Sequence, residues 1–144
     1  MRYSKARLGR VFVVRLEQDD PIPDSLEELA RREKINAASV LLVGGIESGR
    51  IVVGPKARTS PPVPVTRPVA GRHEILAAGF IFPTDGKPVL HMHGAFGRGA
   101  KTLVGCTRTG VRVFSVVEAV VTEILDSPAR RTHDPHTGWH LLQP

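Results

Sequence analysis

The sequence predicts an α+β fold in which one main helix packs on a mostly antiparallel β-sheet. Two observations carry this prediction. Helical spacing of apolar residues occurs in one stretch only, near residues 24–36, whereas short β-branched runs recur along the rest of the chain. The length of 144 residues suits one domain, and no repeat or boundary divides it. We therefore expect a single domain over residues 1–144.

Three runs in the first half of the chain have strand character. Residues 10–16 (RVFVVRL) are rich in β-branched side chains, and residues 37–46 (AASVLLVGGI) are almost continuously apolar. Residues 50–53 form a third run after a Ser-Gly turn. The stretch 55–70 contains five prolines and no regular pattern, so we expect a semi-rigid loop there.

The predicted helix lies between the first two of these strands. Asp24 and Ser25 are its candidate N-caps, because each has a glutamate three residues later, which is the spacing of a capping box. We expect the helix to end near residues 34–36. Its inward positions are apolar at helical spacing: Leu26, Leu29, Ala30 and Ile35.

Strand patterns become dense after Gly71. The segment 83–86 has good turn chemistry, and glycines at positions 94, 97 and 99 mark a second connection. The last run, VRVFSVVEAVVTEIL, contains enough valine to favour one bent strand or two short ones over a helix. We leave open whether the tail, residues 128–144, packs back on the body. The predicted strands are 73–82, 87–93, 101–106 and 111–125.

The composition excludes several classes of protein. The apolar fraction of 41% supports a packed core, and a single cysteine excludes an internal disulfide framework. No apolar run reaches the roughly 18 residues that a membrane-spanning helix needs. The basic N-terminal stretch also lacks the apolar segment of a secretory signal. We therefore expect a cytoplasmic protein without a membrane partner.

The net charge of +6 is unevenly distributed along the chain. Residues 1–16, 48–73 and 86–112 each contain five basic residues and no acidic one, whereas half of the acidic residues lie between residues 17 and 33. This segregation is compatible with a basic surface that binds nucleic acid by neutralising phosphates. It is also compatible with a solvated surface on which the charges mix after folding. An aromatic content of 5% argues against a stacking platform for single strands.

The clearest chemical signal is the pair His91 and His93, at the end of a predicted strand. Because side chains alternate in a strand, both imidazoles project from one face, as half of a metal site. If the following loop centres near Arg98, hairpin pairing brings Cys106 beside His91, within about one residue. Two imidazoles and a thiolate suit zinc, and three protein ligands would leave one position open for water or a small ligand.

A second interpretation of these residues stays open. A His-x-His pair is common, and a lone buried cysteine often behaves as a small hydrophobe. No general base is evident, although Glu74 and Glu118 lie on strands that could approach the site, so catalytic residues stay unknown. We interpret the remaining histidines of the tail as surface groups rather than ligands: His133, His136 and His140.

Several motifs resemble the plant and prokaryote conserved (PPC) domain, a family that also occurs in plant nuclear proteins with AT-hooks. The predicted helix followed by AASVLLVGGIESGRI resembles the earlier half of that domain. The resemblance continues at GRHEIL (71–76), Gly79, PVLHMH (88–93), Gly105 and Val117-Glu118, and in the tail at Arg131, Asp134 and Thr137-Gly138. It covers nearly the whole chain.

The resemblance implies an α+β domain that assembles as a homotrimer. It also implies a metal site made by the two strand histidines and a third histidine that follows a Gly-Gly pair. Gly105-Cys106 stands in that place here, so the implied ligands are His91, His93 and Cys106. A cysteine strengthens the preference for zinc, whereas the change is also compatible with a site that has decayed.

Two function classes follow. The first is a trimeric regulatory or interaction module with a zinc-type site, whose partner is DNA or another protein, since bacterial members of the family often carry a DNA-binding label. The Arg-Gly-Arg-Pro core of an AT-hook is absent, and residues 66–68 are its nearest fragment. The second class is a metal-dependent enzyme or small-molecule sensor that uses an open His/His/Cys zinc site. Other cofactor and nucleophile motifs are absent.

Overall fold

The computed structural model describes all 144 residues and confirms the α+β class, with strands dominant and one helix. The helix, α1 (Ile22–Arg32), follows the first strand, β1 (Arg7–Glu17). The remaining strands are β2 (Ala38–Pro55), β3 (Pro64–Thr84), β4 (Lys87–Arg98), β5 (Lys101–Thr107), β6 (Arg112–Leu125), β7 (Arg130–Asp134) and β8 (Trp139–Gln143).

The eight strands form one sheet in the order β1-β6-β2-β5-β4-β3-β7-β8, and β2 also pairs with β3. Every pairing is antiparallel except the bridge between Thr84 of β3 and Arg131 of β7. The length of β2 allows it to serve several partners: its first half pairs with β6, whereas Ile51 and Val52 pair with β5. The pairings β2–β3, β3–β4, β4–β5 and β5–β2 therefore close into a cycle that holds β5 against the second half of β2.

Helix α1 covers one face of the sheet and packs against β4. Ile22, Leu26 and Ala30 recur every four residues and are buried in the main hydrophobic cluster, which also contains Met92 of β4. The predicted capping box is wrong, because the helix begins at Ile22 and its N-cap residue, Pro21, makes no side-chain capping bond. Prolines suit a first helical turn, whose N–H groups have no intrahelical acceptor. The helix lacks the length and hydropathy needed to cross a membrane.

The predicted loop over residues 55–70 is mostly wrong. Strand β2 continues to Pro55 and β3 begins at Pro64, so only the segment 56–63 connects them. The pairing runs through three of the five prolines, since Pro55 lies opposite Pro64 and Arg50 lies opposite Pro68. Before Glu74, β3 has β2 as its sole partner, and a strand with one free edge tolerates residues without an N–H donor.

The valine-rich run near the C-terminus forms one strand, β6, as predicted. It is irregular at Ser115, which has a positive φ of 65° and whose backbone N–H donates to the Gln18 side-chain oxygen at 2.6 Å. The buried residues of β6 alternate along the strand, as expected for a sheet with one covered face: Val113, Val117, Ala119 and Val121.

The C-terminal tail packs back on the body as a hairpin of β7 and β8. Its turn is organised by Asp134, whose carboxylate accepts bonds from the Thr137 hydroxyl at 2.7 Å and the His136 N–H at 3.3 Å. Gly138 closes the turn with a positive φ of 71°. The residues of the tail that resemble the PPC pattern therefore include those that shape this turn.

The face of the sheet opposite α1, which we call the outer face, contains one row of residues directly paired across six strands. The row runs through Val13, Val120, Leu41, Ala78, His93 and Cys106. Large apolar side chains lie exposed on and beside this row: Val11, Val13, Leu41, Val43, Leu76, Phe80, Val104 and Val120. The outer face thus combines solvent-exposed hydrophobic residues with the predicted metal ligands.

Candidate metal centre

His91 and His93 project from the same face of β4, as the strand pattern predicts. Met92 between them is fully buried on the opposite side, in the main cluster under α1. The two rings meet edge to face, and their Nε2 atoms lie 3.2 Å apart. Both imidazoles therefore direct the same nitrogen toward one point.

Cys106 lies directly opposite His93, on the neighbouring strand β5. The predicted position beside His91 is wrong by two residues along β4, because the turn between β4 and β5 consists of Gly99 and Ala100 and does not centre on Arg98. The sulfur nevertheless joins the group, since the ligand atoms of the three residues all lie within 4.8 Å of one another. The structure thus brings the predicted set together.

Gly105 makes this approach possible. A Cβ atom at position 105 would lie 2.5 Å from the backbone oxygen of Val52, which no side chain tolerates. The missing side chain lets β5 pair closely with β2, where Cys106 lies opposite Val52. Gly105 therefore sets how close β5, and with it the Cys106 sulfur, lies to β2.

The donor set and spacing fit a zinc-type ion. In a tetrahedral site with Zn–N distances of about 2.05 Å, two nitrogens lie about 3.3 Å apart. The observed 3.2 Å between the Nε2 atoms of His91 and His93 matches this edge. A nitrogen and a sulfur would lie about 3.6 Å apart in the same geometry, within the 4.8 Å that bounds the group.

The three residues lie in the wall of a cavity of about 750 Å³. β2, β4 and β5 contribute part of its lining, and the C-terminal hairpin contributes Arg131, Trp139, His140 and Leu141. No aspartate or glutamate lines this cavity, so neither Glu74 nor Glu118 is available at the site as a carboxylate base. A metal on the three ligands would have its open position beside this space.

The model of the Plants and Prokaryotes Conserved (PCC) domain matches residues 3–125. The chain belongs to this family. PPC and PCC are two abbreviations for the same family name, so the match confirms the resemblance to the PPC domain. A search of curated proteins gives no match for this PCC protein.

Solved structures share the fold over most or all of the chain. The metal-containing protein AF0104 from Archaeoglobus fulgidus has 21% identity and a TM-score of 0.88, with 100% of both chains covered. A PPC protein from Pyrococcus horikoshii has 20% identity and a TM-score of 0.84, again with 100% of both chains covered. A putative DNA-binding protein from Ralstonia eutropha JMP134 has 22% identity and a TM-score of 0.77, covering 92% of this chain and 90% of its own. At these identities the likeness establishes the fold.

Burial and positive charge shape the protonation of the candidate ligands. Burial, followed by the charge of Arg131, lowers the pKa of His91 to about 4. A neutral imidazole is the form that binds a metal, so the PCC fold holds His91 ready for coordination at neutral pH. Burial raises the pKa of the Cys106 thiol, although the nearby Arg108 guanidinium opposes that rise. A metal would therefore have to displace the thiol proton.

Two arginines, Arg108 and Arg131, lie at the site although the sequence did not predict a role for them there. Arg108 follows Cys106 by two residues, and its Nη1 atom lies 2.9 Å from the sulfur. Arg131 was noticed only as part of the family pattern, yet it lines the cavity and is 9% exposed. Alternation continued one residue beyond the end of β5 could have placed Arg108 on the face of Cys106, whereas no local pattern connects β7 with β4.

The tail histidines lie on the surface, as predicted. His133, His136 and His140 are exposed, and none belongs to the cluster of candidate ligands. His140 contacts the Asp85 carboxylate at 3.3 Å and also lines the cavity. It is therefore a neighbour of the site.

Proposed function

We propose that this PCC protein is a metal-dependent binding module whose centre holds a zinc-type ion on His91, His93 and Cys106. The observation that carries the proposal is the convergence of two imidazole nitrogens and one sulfur within 4.8 Å, beside a cavity. A relative of the same fold is described as a metal-containing protein, which agrees with it. We place the protein in the cytoplasm, since a reducing compartment keeps a lone cysteine as a free thiol.

A bound zinc ion would supply a positive charge and one open coordination position for a ligand or water. The chain contributes the orientation of its ligands and an apolar cavity beside them. Because no carboxylate lines that cavity, we favour ligand binding or sensing over hydrolysis, which usually needs a general base beside the metal-bound water. A metal-dependent enzyme is the alternative, and hydrolysis of a substrate that stops on removal of the metal would support it.

Metal analysis of protein purified without chelator tests the proposal. We expect about one ion per chain, and a large loss after His91→Ala, His93→Ala or Cys106→Ala. The matched control is His136→Ala, because His136 is exposed at the β7–β8 turn and outside the cluster. An ion content that does not respond to the three substitutions would contradict the proposal.

We further propose that the protein assembles as a homotrimer through its outer face. The supporting observation is the size of the apolar surface there, since Val13 is 87% exposed, Leu76 is 58% exposed and Leu41 is 54% exposed. Monomers rarely expose so many large apolar side chains on one surface. Copies of the same chain are the occupants that we propose. Sedimentation should give about three times 15.6 kDa, and a monomer at micromolar concentration would exclude this assembly.

DNA binding is a second candidate function, and one feature of the charges supports it. Ten basic residues lie between positions 48 and 112, all are exposed, and none forms an ion pair. The arginines that do form ion pairs with carboxylates are confined to the N-terminal part: Arg7, Arg10, Arg15, Arg31 and Arg32. Two solved relatives, from Ralstonia eutropha and Bacteroides thetaiotaomicron, are described as putative DNA-binding proteins.

Salt dependence of duplex binding tests this second function. If the protein neutralises several phosphates, the logarithm of the binding constant should fall linearly and steeply with the logarithm of the salt concentration. Replacing Arg50 and Arg67 by glutamine should reduce that slope, because each removed phosphate contact reduces it by about one. Absence of association with duplex DNA at low salt would reject DNA as a partner while leaving the metal proposal intact.

A further inference from the structure

Arg131 is a buried cation without a counterion. Its Nη1 atom donates to the Val89 carbonyl oxygen at 3.0 Å, and its Nη2 atom donates to the Phe80 carbonyl oxygen at 3.2 Å. No carboxylate lies within ion-pair distance, although the residue is only 9% exposed. Burying a charge without a counterion is costly, and this cost is offset in part by the two carbonyl bonds and by the Phe82 ring, whose centroid lies 5.6 Å from the guanidinium carbon. The backbone bonds fix its position in the cavity wall.

A second cation, Arg108, lines the same cavity. Arg108 donates from Nη1 to the Cys106 sulfur at 2.9 Å and contacts the Thr107 carbonyl oxygen at 3.3 Å. With a divalent ion on one thiolate and two neutral imidazoles, the centre would keep one positive charge, and the two guanidiniums would add two more. The cavity lining contains no acidic residue to offset this charge. The space therefore attracts anions.

The rest of the lining is suited to an apolar body. Trp139 and several aliphatic side chains form these walls: Val52, Val53, Val89, Leu90, Val104 and Leu141. A cavity of about 750 Å³ lies within the range of small-molecule sites, which combine apolar walls with a few convergent polar groups. The two guanidiniums lie near the ligand cluster, since the charges of both act on His91 and on Cys106.

We propose that the cavity binds a small organic oxyanion, a carboxylate or phosphate monoester with an apolar body. Its charged head is recognised by Arg108, Arg131 and the open position of the metal, and its body packs against Trp139. Charge-assisted bonds from guanidinium to an oxyanion are among the stronger hydrogen bonds, and they explain the retention of Arg131. This proposal rests on the metal site proposed above for part of the affinity, whereas the two arginines belong to the chain itself.

Trp139 supplies a direct readout, because it is the only tryptophan in the chain and it lines the cavity. We would titrate the zinc-loaded protein with cyclohexanecarboxylate and with cyclohexyl phosphate, and follow the fluorescence of Trp139. The uncharged cyclohexanecarboxamide has nearly the same shape and serves as the neutral probe. Inorganic phosphate separates recognition of the head from packing of the body. We expect the anionic organic probes to bind at least about tenfold tighter than the amide.

Substitutions then assign the preference to the arginines. Arg108→Gln changes an exposed side chain. It should weaken the binding of the carboxylate probe about tenfold without weakening the binding of the amide. Arg131→Lys keeps the charge but cannot reproduce the two fixed backbone bonds together with a bond to the ligand, so it should also reduce the preference. Lys101→Gln is the control, since Lys101 is an exposed cation of β5 outside the cavity lining.

Measurements with and without metal distinguish failure of this proposal from failure of the metal site. In chelator-treated protein, the carboxylate should still bind more tightly than the amide, although more weakly than in the zinc-loaded protein. If no ion binds but this preference persists and depends on Arg108, the metal proposal fails and the oxyanion proposal stands. If the ion binds but the amide and the carboxylate bind equally, or Trp139 responds to neither, the oxyanion proposal is overturned.

Discussion

The Arg108 guanidinium lies 2.9 Å from the sulfur of Cys106, so a fixed positive charge contacts the candidate thiolate ligand. A cation at this distance stabilises a thiolate, whereas burial of Cys106 opposes ionisation and raises the pKa of the thiol. Burial and the charge of Arg108 therefore have opposite effects on the pKa of the thiol. A metal bound to the thiolate would share the negative charge of the sulfur with Arg108.

Exchanging the candidate sulfur ligand gives the first prediction. Cys106→His restores the residue type that the PPC resemblance implies at this position, and we expect it to bind metal with a changed ligand set. In the cobalt-loaded form, wild-type protein should show a sulfur-to-cobalt charge-transfer band in the near ultraviolet. Cys106→His should lack this band but keep the visible bands of bound cobalt.

Cys106→Ser is the companion variant, because it removes the thiolate with little change in volume. Its affinity for zinc should fall by at least about tenfold, since one of three ligands is lost. A cobalt spectrum that is identical in wild-type protein and both variants would show that the sulfur is not a ligand.

The close approach of β5 to β2 gives the second prediction. Gly105→Ala would place a Cβ atom 2.5 Å from the Val52 carbonyl oxygen, so the strands must separate. Forced packing of this kind costs about 1–3 kcal/mol, and we expect a loss of this size in the free energy of unfolding. Metal affinity should fall as well, because Cys106 moves with the strand. Denaturant unfolding and zinc titration measure the two effects.

Gly97→Ala is the matched control for this experiment. Gly97 also lies in a strand of the β4–β5 hairpin, but a Cβ atom there meets nothing within 4 Å and φ is not positive. Its effect on stability and on metal binding should be small. Equal losses for the two alanine variants would show that the contact with Val52 has no special role.

The ion pair that joins the first strand to β6 gives the third prediction. The Arg10 guanidinium donates to both carboxylate oxygens of Glu123, at 2.8 and 3.0 Å, and holds the pKa of Glu123 below its ordinary value. A depressed carboxyl pKa stabilises the fold at pH values above the unfolded pKa, and this contribution is lost as the pH falls through the folded pKa. Glu123→Gln should therefore lower the free energy of unfolding at pH 7.

The pH dependence of that difference provides the check. At about pH 3, below the usual pKa of a glutamate, wild-type protein loses part of the same contribution, so the gap in unfolding free energy between wild type and Glu123→Gln should narrow. Urea unfolding at the two pH values measures it. A gap that is constant or widens on acidification would contradict the role assigned to Arg10 and Glu123.

The exposed apolar residues give the fourth prediction. Leu41 lies on the row of the outer face that contains His93, and it is 54% exposed. Leu41→Lys should convert the proposed trimer to monomers, because three copies would have to bury a charge in their contact. Val63→Lys is the control, since Val63 is equally exposed but belongs to the loop 56–63. Sedimentation velocity measures the two variants. If only Val63→Lys dissociates, the contact between copies lies elsewhere on the surface and the prediction is contradicted.

Periodicity along the chain predicted the elements better than it predicted their limits. The helix and the strands around His91 and Cys106 were expected, because apolar spacing and β-branched residues report which face of an element is buried. The prolines of residues 55–70 led to the wrong prediction of a loop, because the effect of a proline depends on whether a neighbouring strand needs the missing N–H donor. That dependence is a property of the sheet order, which the sequence of any single segment does not contain.

The candidate site was predicted to a similar extent. Alternation in a strand was sufficient to predict the common face of His91 and His93. The partner of Cys106 was wrong by two positions, because it depends on the exact turn at residues 99 and 100. Arg131 reaches the cavity through a hairpin that pairs with β3 at a single bridge. Contacts of this kind, distant in sequence and made by a short element, have no periodic signal.

The C-terminal hairpin places two parts of the candidate site far apart along the chain. The family match ends at residue 125, whereas Arg131 and Trp139 belong to the tail beyond it. The candidate ligands His91, His93 and Cys106 lie within the matched residues. Loss of the hairpin would therefore remove one side of the cavity and leave the three candidate ligands on their strands.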